Sequence, residues 1–277
     1  MIPINFVYVR PGSLEEAVEA YMQALEEGRS PEYYAGGTEV VSYTRELKIE
    51  PDVVIDLKVL PELGVQAVEG GEYVFGACLT LNELVEGGRF PLLSRAAQIV
   101  DHTIRNRLTL GGNIAGRLPY RETVLPFLLS EARVRLYGPA GERVVPLSEV
   151  FDKRLQLEPG ELLVQLLVAP GFTEAPWFYR RRTKKGRLDY PIVTAAFLEW
   201  EGALRMATSG VYGFPLRSAE AEAVLNEGAL EVGERAARVV DAVPFKVFDD
   251  LRASAAYRRA LTEKAIGEAL RALGGAA

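Results

Sequence analysis

Ala35-Gly36-Gly37-Thr38 and Thr109-Leu110-Gly111-Gly112-Asn113 are the two stretches on which the fold turns. Each sets two residues lacking a Cβ beside a hydroxyl side chain, and the second adds an amide. Glycine lets a backbone come close to an anion and aim successive N–H groups at it. Two tight turns in a β-rich core would carry the same letters. A pair of such bends favours a ligand with a double phosphate held from two sides, and a dinucleotide is the first candidate. The Rossmann hexad G-x-G-x-x-G and the phosphate loop G-x-x-x-x-G-K-[S/T] are both absent. The anion site is therefore expected from two separate loops, with Thr38 and Thr109 supplying hydroxyls and Asn113 able to donate and accept.

Around the first bend, Ser13-Leu14-Glu15-Glu16 reads as a capping box that opens a helix with Leu14, Ala17, Val18, Tyr21 and Leu25 on one face; Gly28 stops it. Tyr33-Tyr34-Ala35 is a short strand entering the bend, and Val53-Val54-Ile55-Asp56-Leu57 is a buried strand by its β-branched run. Tyr73 to Ala77 is another strand, and Cys78 is placed with it as a small hydrophobe. Around the second bend, Thr80-Leu81-Asn82-Glu83 forms another capping box, and a helix is expected near Leu92 to Val100. A helical stretch follows Pro119 and contains Pro126-Phe127-Leu128-Leu129. Arg133 to Tyr137 alternates with period two and turns through the four residues Gly138-Pro139-Ala140-Gly141 into Glu142 to Val145, a hairpin. Leu162 to Val168 is almost wholly apolar, as in a central strand.

Beyond Pro170-Gly171 the character changes to a hairpin-like segment, Phe197 to Val211, and then helices at 219–225, 230–240 and 256–273. In the last, Leu261, Ala265, Ile266, Leu270 and Leu273 make one apolar stripe. The chain closes on a low-complexity Gly-Gly-Ala-Ala. With 277 residues it exceeds the usual size of one core, so two or three subdomains are expected.

Composition narrows the chemistry. A net charge of −6 argues against nucleic acid as a partner. One cysteine and one histidine, Cys78 and His102, exclude an internal disulfide, an iron–sulfur cluster or a thiolate zinc site made by this chain alone. His102 reads as a structural or surface histidine, and Asp189 as a residue that orders its own loop. No nucleophile–base pair is visible, so no catalytic residue is assigned and no metal is expected. No apolar run reaches the roughly 18 residues of a membrane span. The N-terminus lacks the form of a signal peptide, so the cytoplasm is the expected location.

An ordered series of short motifs runs through the chain. It comprises Phe6 to Ala17, the Ala35–Thr38 bend, Ile55-Asp56-Leu57 with Pro61-Glu62-Leu63, and Ile104-Arg105-Asn106 leading into Thr109–Asn113. Arg182 through Asp189-Tyr190-Pro191-Ile192-Val193 and the closing Ala253 to Arg258 complete it. The series resembles the FAD-binding medium subunit of the molybdenum hydroxylases, the group that contains carbon monoxide dehydrogenase and xanthine dehydrogenase.

The resemblance implies an α+β fold. Residues 1–170 would form an FAD-binding domain of the vanillyl-alcohol-oxidase/MurB (PCMH) type, with lobes of about 1–57 and 58–170. Residues 171–277 would form a C-terminal domain with a three-stranded antiparallel sheet and a helical bundle. It also implies the cofactor contacts. Ala35, Gly36, Gly37 and Thr38 with Thr109, Gly111, Gly112 and Asn113 would hold the pyrophosphate, Tyr33, Tyr34, Glu39 and Val40 would line the same cleft, and Ala115 would be a further cofactor-binding residue. Ile99, Val100 and Ile104 match positions that pack around the adenine end or the loop below it, and Glu122 the place of an aspartate that bonds the ADP portion. Leu163 would give an apolar contact, Arg182 would approach the flavin, and Tyr190 would lie against the isoalloxazine. Glu32, Glu122 and the run Leu118-Pro119-Tyr120-Arg121 depart from the family pattern, which bears on FAD affinity more than on fold.

The implied function is electron transfer within a heteromer. A molybdopterin large subunit would oxidise the substrate, and a [2Fe–2S] small subunit would pass electrons to this FAD and on to NAD, a quinone or oxygen. The alternatives are a free-standing flavin-dependent reductase or oxidase of the same fold, and a scaffold subunit that has lost FAD.

Overall fold

A computed structural model describes residues 2–186 and 188–273, so the Gly-Gly-Ala-Ala end lies outside the described residues. The chain forms two compact units. The first takes the chain up to Gly87 together with His102–Gly116 and Ala132–Val168; the second takes Gly88–Asp101, Arg117–Glu131 and the chain from Ala169 onward.

Among the described residues the first unit holds two larger sheets and the two-stranded ribbon Phe151–Asp152 with Arg154–Leu155. Val7–Val9, Val53–Asp56 and Pro31–Tyr34 lie side by side in that order, all parallel, with Tyr34 opposite Asp56. The helix Leu14–Glu26 provides the first crossover. Ser13 Oγ accepts the Glu16 amide at 3.2 Å, as a capping box requires. The Glu16 carboxylate reaches one residue further back than expected and accepts from the Gly12 amide at 2.6 Å. Gly28 ends the helix at a φ of +70°, and the Arg29 amide returns to the Ala24 carbonyl. The Thr80 box is reciprocal, with the Thr80 amide on Glu83 Oε2 at 2.7 Å and the Glu83 amide on Thr80 Oγ1 at 3.2 Å.

The second sheet runs Gln66–Glu69, Glu72–Gly76, Leu162–Val168, Arg133–Gly138 and Gly141–Pro146, antiparallel throughout. Leu162–Val168 sits in the middle with every residue buried. The hairpin beyond it is tighter than expected. Gly138 pairs with Gly141, so the loop is only Pro139-Ala140 and not four residues. Cys78 lies in the turn after the strand Glu72–Gly76 rather than in the strand.

In the second unit, Trp177–Thr183, Pro191–Trp200 and Ala203–Ser209 form an antiparallel sheet, and the two-residue Leu216–Arg217 is added at its edge. Glu201 and Gly202, at φ +53° and +77°, make the two-residue turn whose twist suits such a hairpin. Helices Ala219–Leu225, Val232–Asp241 and Ala255–Leu273 supply Leu225, Val239, Ile266 and their neighbours to one core with Ile192, Phe197 and Val211.

Gly88–Asp101 and Arg117–Glu131 join this unit because their helices are apolar on most sides. Pro91–Ala97 buries Leu92 and Leu93, Val124–Leu129 buries Leu125 and Phe127, and Phe127 meets Phe90 edge-on at 6.4 Å. The first of these helices is shorter than expected, since it ends at Ala97 and Val100 takes a φ of +46°. No helix among the described residues is long and apolar enough to cross a membrane.

Candidate functional site

The first glycine bend leaves the edge of the parallel sheet. Pro31–Tyr34 ends, Ala35-Gly36-Gly37 turns, and the helix Thr38–Arg45 starts. Gly37 takes a φ of +70° and is the residue before the first helical turn, so the cap position has no side chain to offer the amides of that turn. Such amides need partners from elsewhere and carry the positive end of the helix dipole. Gly37 also has no room for a Cβ, because the Tyr34 ring fills that space.

The second bend differs from what the sequence suggests. Its amides are largely spoken for within the protein. The Leu110 amide donates to the Leu79 carbonyl at 2.9 Å, the Gly111 amide to the Ala77 carbonyl at 2.7 Å, and the Gly112 amide to Thr109 Oγ1 at 3.3 Å. Thr109 is thus the cap of the short helix Leu110–Ala115. Gly111 is glycine for packing: a Cβ there would lie 2.8 Å from the Ala77 Cβ. Gly112 is exposed, and the neighbour its Cβ would meet is the Thr109 hydroxyl, at 2.8 Å.

The two bends meet within the first unit. A Cβ on Gly36 would overlap the Arg107 carbonyl oxygen and stand 3.3 Å from Thr109 Cγ2. On the far side, Glu39 Oε2 lies 3.4 Å from the Cβ position of Gly116, where the second helix ends. The bends therefore share one neighbourhood, with a helix start from each.

Other expected contacts occupy varied settings. Tyr33 turns its ring onto Tyr21, centroids 4.7 Å apart, and its hydroxyl donates to the Gly160 carbonyl at 2.8 Å. Leu163 is buried in the central strand, and Ile104 and Ala115 are exposed. In the second unit, Ile99 is buried and Val100 half-buried. Glu122 is buried there with the Arg181 Nε 3.1 Å from its Oε1. Burial pushes the Glu122 carboxyl up, against the opposing pull of that guanidinium. Arg182 pairs with Glu268 at 3.0 Å. Tyr190 is half exposed, its ring 5.6 Å from that of Tyr120, while Arg252 donates to its carbonyl and to Asp189 Oδ1, each at 2.9 Å. Burial pushes the Cys78 thiol up to about 12, so it stays protonated at neutral pH. His102 is exposed, 3.8 Å from Glu86.

Sequence reasoning passed over one cluster beside the first bend. Asp56, at the end of the central parallel strand, accepts from the Tyr8 hydroxyl, from the Lys58 amide at 3.1 Å and from the Lys58 ammonium at 2.5 Å. Burial alone would raise its carboxyl, but the bonds from Lys58 and Tyr8 outweigh burial and hold it below the usual carboxylate range. An aspartate closing an otherwise apolar strand was the available signal.

Comparison with known proteins bears on this geometry. A family model described as the FAD binding domain in molybdopterin dehydrogenase matches residues 4–169. The carbon monoxide dehydrogenase medium chain of Hydrogenophaga pseudoflava is 28% identical over 285 residues, covering 98% of each chain. The nicotinate dehydrogenase FAD-subunit of Eubacterium barkeri is 29% identical over 241 residues, covering 80% of this chain and 79% of that one. A solved structure of carbon monoxide dehydrogenase from Hydrogenophaga pseudoflava superposes with a TM-score of 0.86 at 31% identity over 98% of both chains.

Proposed function

We propose, because this chain belongs to the family of FAD-binding domains in molybdopterin dehydrogenases, that it is the electron-transfer flavoprotein component of a heteromeric molybdenum enzyme. FAD is its cofactor. The observation that carries the reading is the meeting of the two glycine bends at Gly36 and the Arg107 carbonyl, beside a helix start with no side-chain cap.

The residues fit an FAD diphosphate. Gly36 and Gly37 let the bend lie directly on the Arg107 carbonyl and the Tyr34 ring, and the amides of the Thr38–Arg45 helix start donate to the anion with the help of the helix dipole. Each charge-assisted bond of this kind contributes about 1.5–3 kcal/mol. The Arg107 carbonyl and Thr109 build the wall on which the first bend rests, and Gly112 leaves the surface open. Thr38, Glu39, Val40, Asn113 and Ala115 line this neighbourhood in the proposal, and Tyr190 is the aromatic contact of the isoalloxazine.

FAD, when bound, can take up and give out one or two electrons, which suits a carrier between one-electron centres and a two-electron acceptor. This chain's part is to bind and orient it. In this reading electrons arrive from a [2Fe–2S] partner served by a molybdopterin partner and leave to NAD, a quinone or oxygen. The relatives carry the corresponding descriptions as medium chain and FAD-subunit.

The test is to denature the purified protein and identify the chromophore released. FAD in near-equal amount to protein is expected, and a colourless protein that takes up no FAD overturns the reading. Rapid NAD(P)H oxidation by the isolated chain would replace the subunit by a free-standing enzyme.

A further inference from the structure

The cluster around Asp56 makes a continuous line of contacts that ends at the first glycine bend. Tyr8 and Lys58 both hold the Asp56 carboxylate, which is 4% exposed. The Lys58 ammonium, fixed from one side by Asp56, lies over the face of Tyr34, 4.2 Å from the ring centroid. The Tyr34 ring in turn fills the space a side chain on Gly37 would take. Sheet register supports the arrangement, because Tyr34 and Asp56 are direct partners on neighbouring parallel strands.

We propose that Asp56 and Lys58 are a positioning pair for the cofactor loop. Lys58 holds the Tyr34 ring against Gly37, and the ring keeps Ala35-Gly36-Gly37-Thr38 in the left-handed bend from which the helix amides face outward. The inference rests on the diphosphate reading of that bend and extends it to residues outside the glycine motifs. A cation held over an aromatic face is attracted by the ring quadrupole, and anchoring the cation at its other end makes the ring's position definite. Gly37 reaches φ +70° without strain but is free to leave it, so a ring packed against it narrows the bend to one conformation.

The test separates this role from a direct charge effect and from loss of fold. FAD is titrated into the deflavinated chain and into Lys58→Gln, Lys58→Arg, Tyr34→Leu and the Lys58→Gln/Tyr34→Leu double variant, with the unfolding temperature of each flavin-free protein measured alongside. Glutamine keeps a donor for Asp56 but removes the cation from the ring. Lys58→Gln should weaken FAD binding about two- to five-fold, the range of an exposed cation–ring contact, beyond any change in unfolding temperature, and Lys58→Arg should restore it. In the Tyr34→Leu background the Lys58 change should cost nothing further.

Unchanged affinity in Lys58→Gln, or an equal loss with and without the ring, overturns the proposal. If Lys58→Gln does not fold, Tyr34→Leu alone carries the test, and undiminished FAD affinity there overturns it. An unaltered chain that binds no FAD instead marks the failure of the diphosphate reading, and this proposal falls with it.

Discussion

The carbonyl oxygen of Arg107 stands where the Cβ of any residue other than glycine would have to sit at Gly36. The obstacle is backbone, which cannot rotate aside as a side-chain tip would. Gly36→Ala should therefore lose about 1–3 kcal/mol of stability, the usual cost of overpacking, together with its flavin. Gly64→Ala is the control, since a Cβ there meets nothing within 4 Å. Thermal unfolding and the flavin-to-protein ratio check both. Equal behaviour of the two variants would contradict the contact.

At Gly112 the expectation is different. The position is exposed and open except for Thr109 Oγ1, 2.8 Å from an added Cβ. Gly112→Val should displace that hydroxyl from its cap, costing about 1 kcal/mol, and put a branched side chain on the proposed approach of the diphosphate. The protein should fold and lose FAD. Normal flavin content would take Gly112 out of the site.

Asp56 predicts an acid response. Its carboxyl is lowered in the folded chain relative to the ordinary value of about 3.9 in the unfolded one. The stabilisation it gives is complete above that value and is lost as the pH falls through the lower, folded value. Asp56→Asn should be less stable than the unaltered chain by about 1–3 kcal/mol at neutral pH, and the gap should close below roughly pH 4. Denaturant unfolding across the acid range measures it, and a gap constant with pH would show the carboxylate to be irrelevant.

Tyr190 offers a ring that is half exposed and held by Tyr120 and Arg252. Removing it forfeits a ring pair worth about 0.5–1.5 kcal/mol whatever else it does. Tyr190→Ala should in addition shift the visible flavin spectrum or the midpoint potential while FAD stays bound. A spectrum and potential identical to those of the unaltered protein would leave Tyr190 only its packing role.

Arg258 is the one fully buried arginine side chain among the large core residues described. It donates to the carbonyls of Ile192 and Gly210 at 2.5 and 2.8 Å and pairs with Asp250 at 2.6 Å. Arg258→Met should destabilise the protein by about 3–5 kcal/mol, because Asp250 and two carbonyls lose their partner. The unfolding midpoint tests it, with Arg258→Lys expected to recover only part.

What could be read in the letters is what local chemistry decides. The Ser13 and Thr80 caps, the Gly28 stop and the nearly all-apolar middle strand each depend on a few neighbouring residues. The family resemblance brought the cofactor and the antiparallel sheet of the second unit. The rest depends on partners far along the chain. Nothing in Gly111 itself tells that its amide belongs to the Ala77 carbonyl, so a packing glycine looked like an anion-binding one. The short apolar helices at 91–97 and 124–129 group with later strands through their burial, which no contiguous reading of domains could show. Gly138 and Gly141 looked like loop residues and proved to be paired in the ladder. Arg258 closed a recognised motif, yet its burial comes from three groups spread over positions 192 to 250.

The middle strand of the five-stranded sheet, Leu162–Val168, is also the last of the five to leave the ribosome. Until it emerges, the hairpins 66–76 and 133–146 each present a bare edge of unbonded amides and carbonyls, the kind of template on which foreign strands pair. A nascent chain stalled before Leu162 would thus be a hazard to its neighbours, and its maturation hinges on six apolar residues and Gln165 sliding between two waiting ribbons.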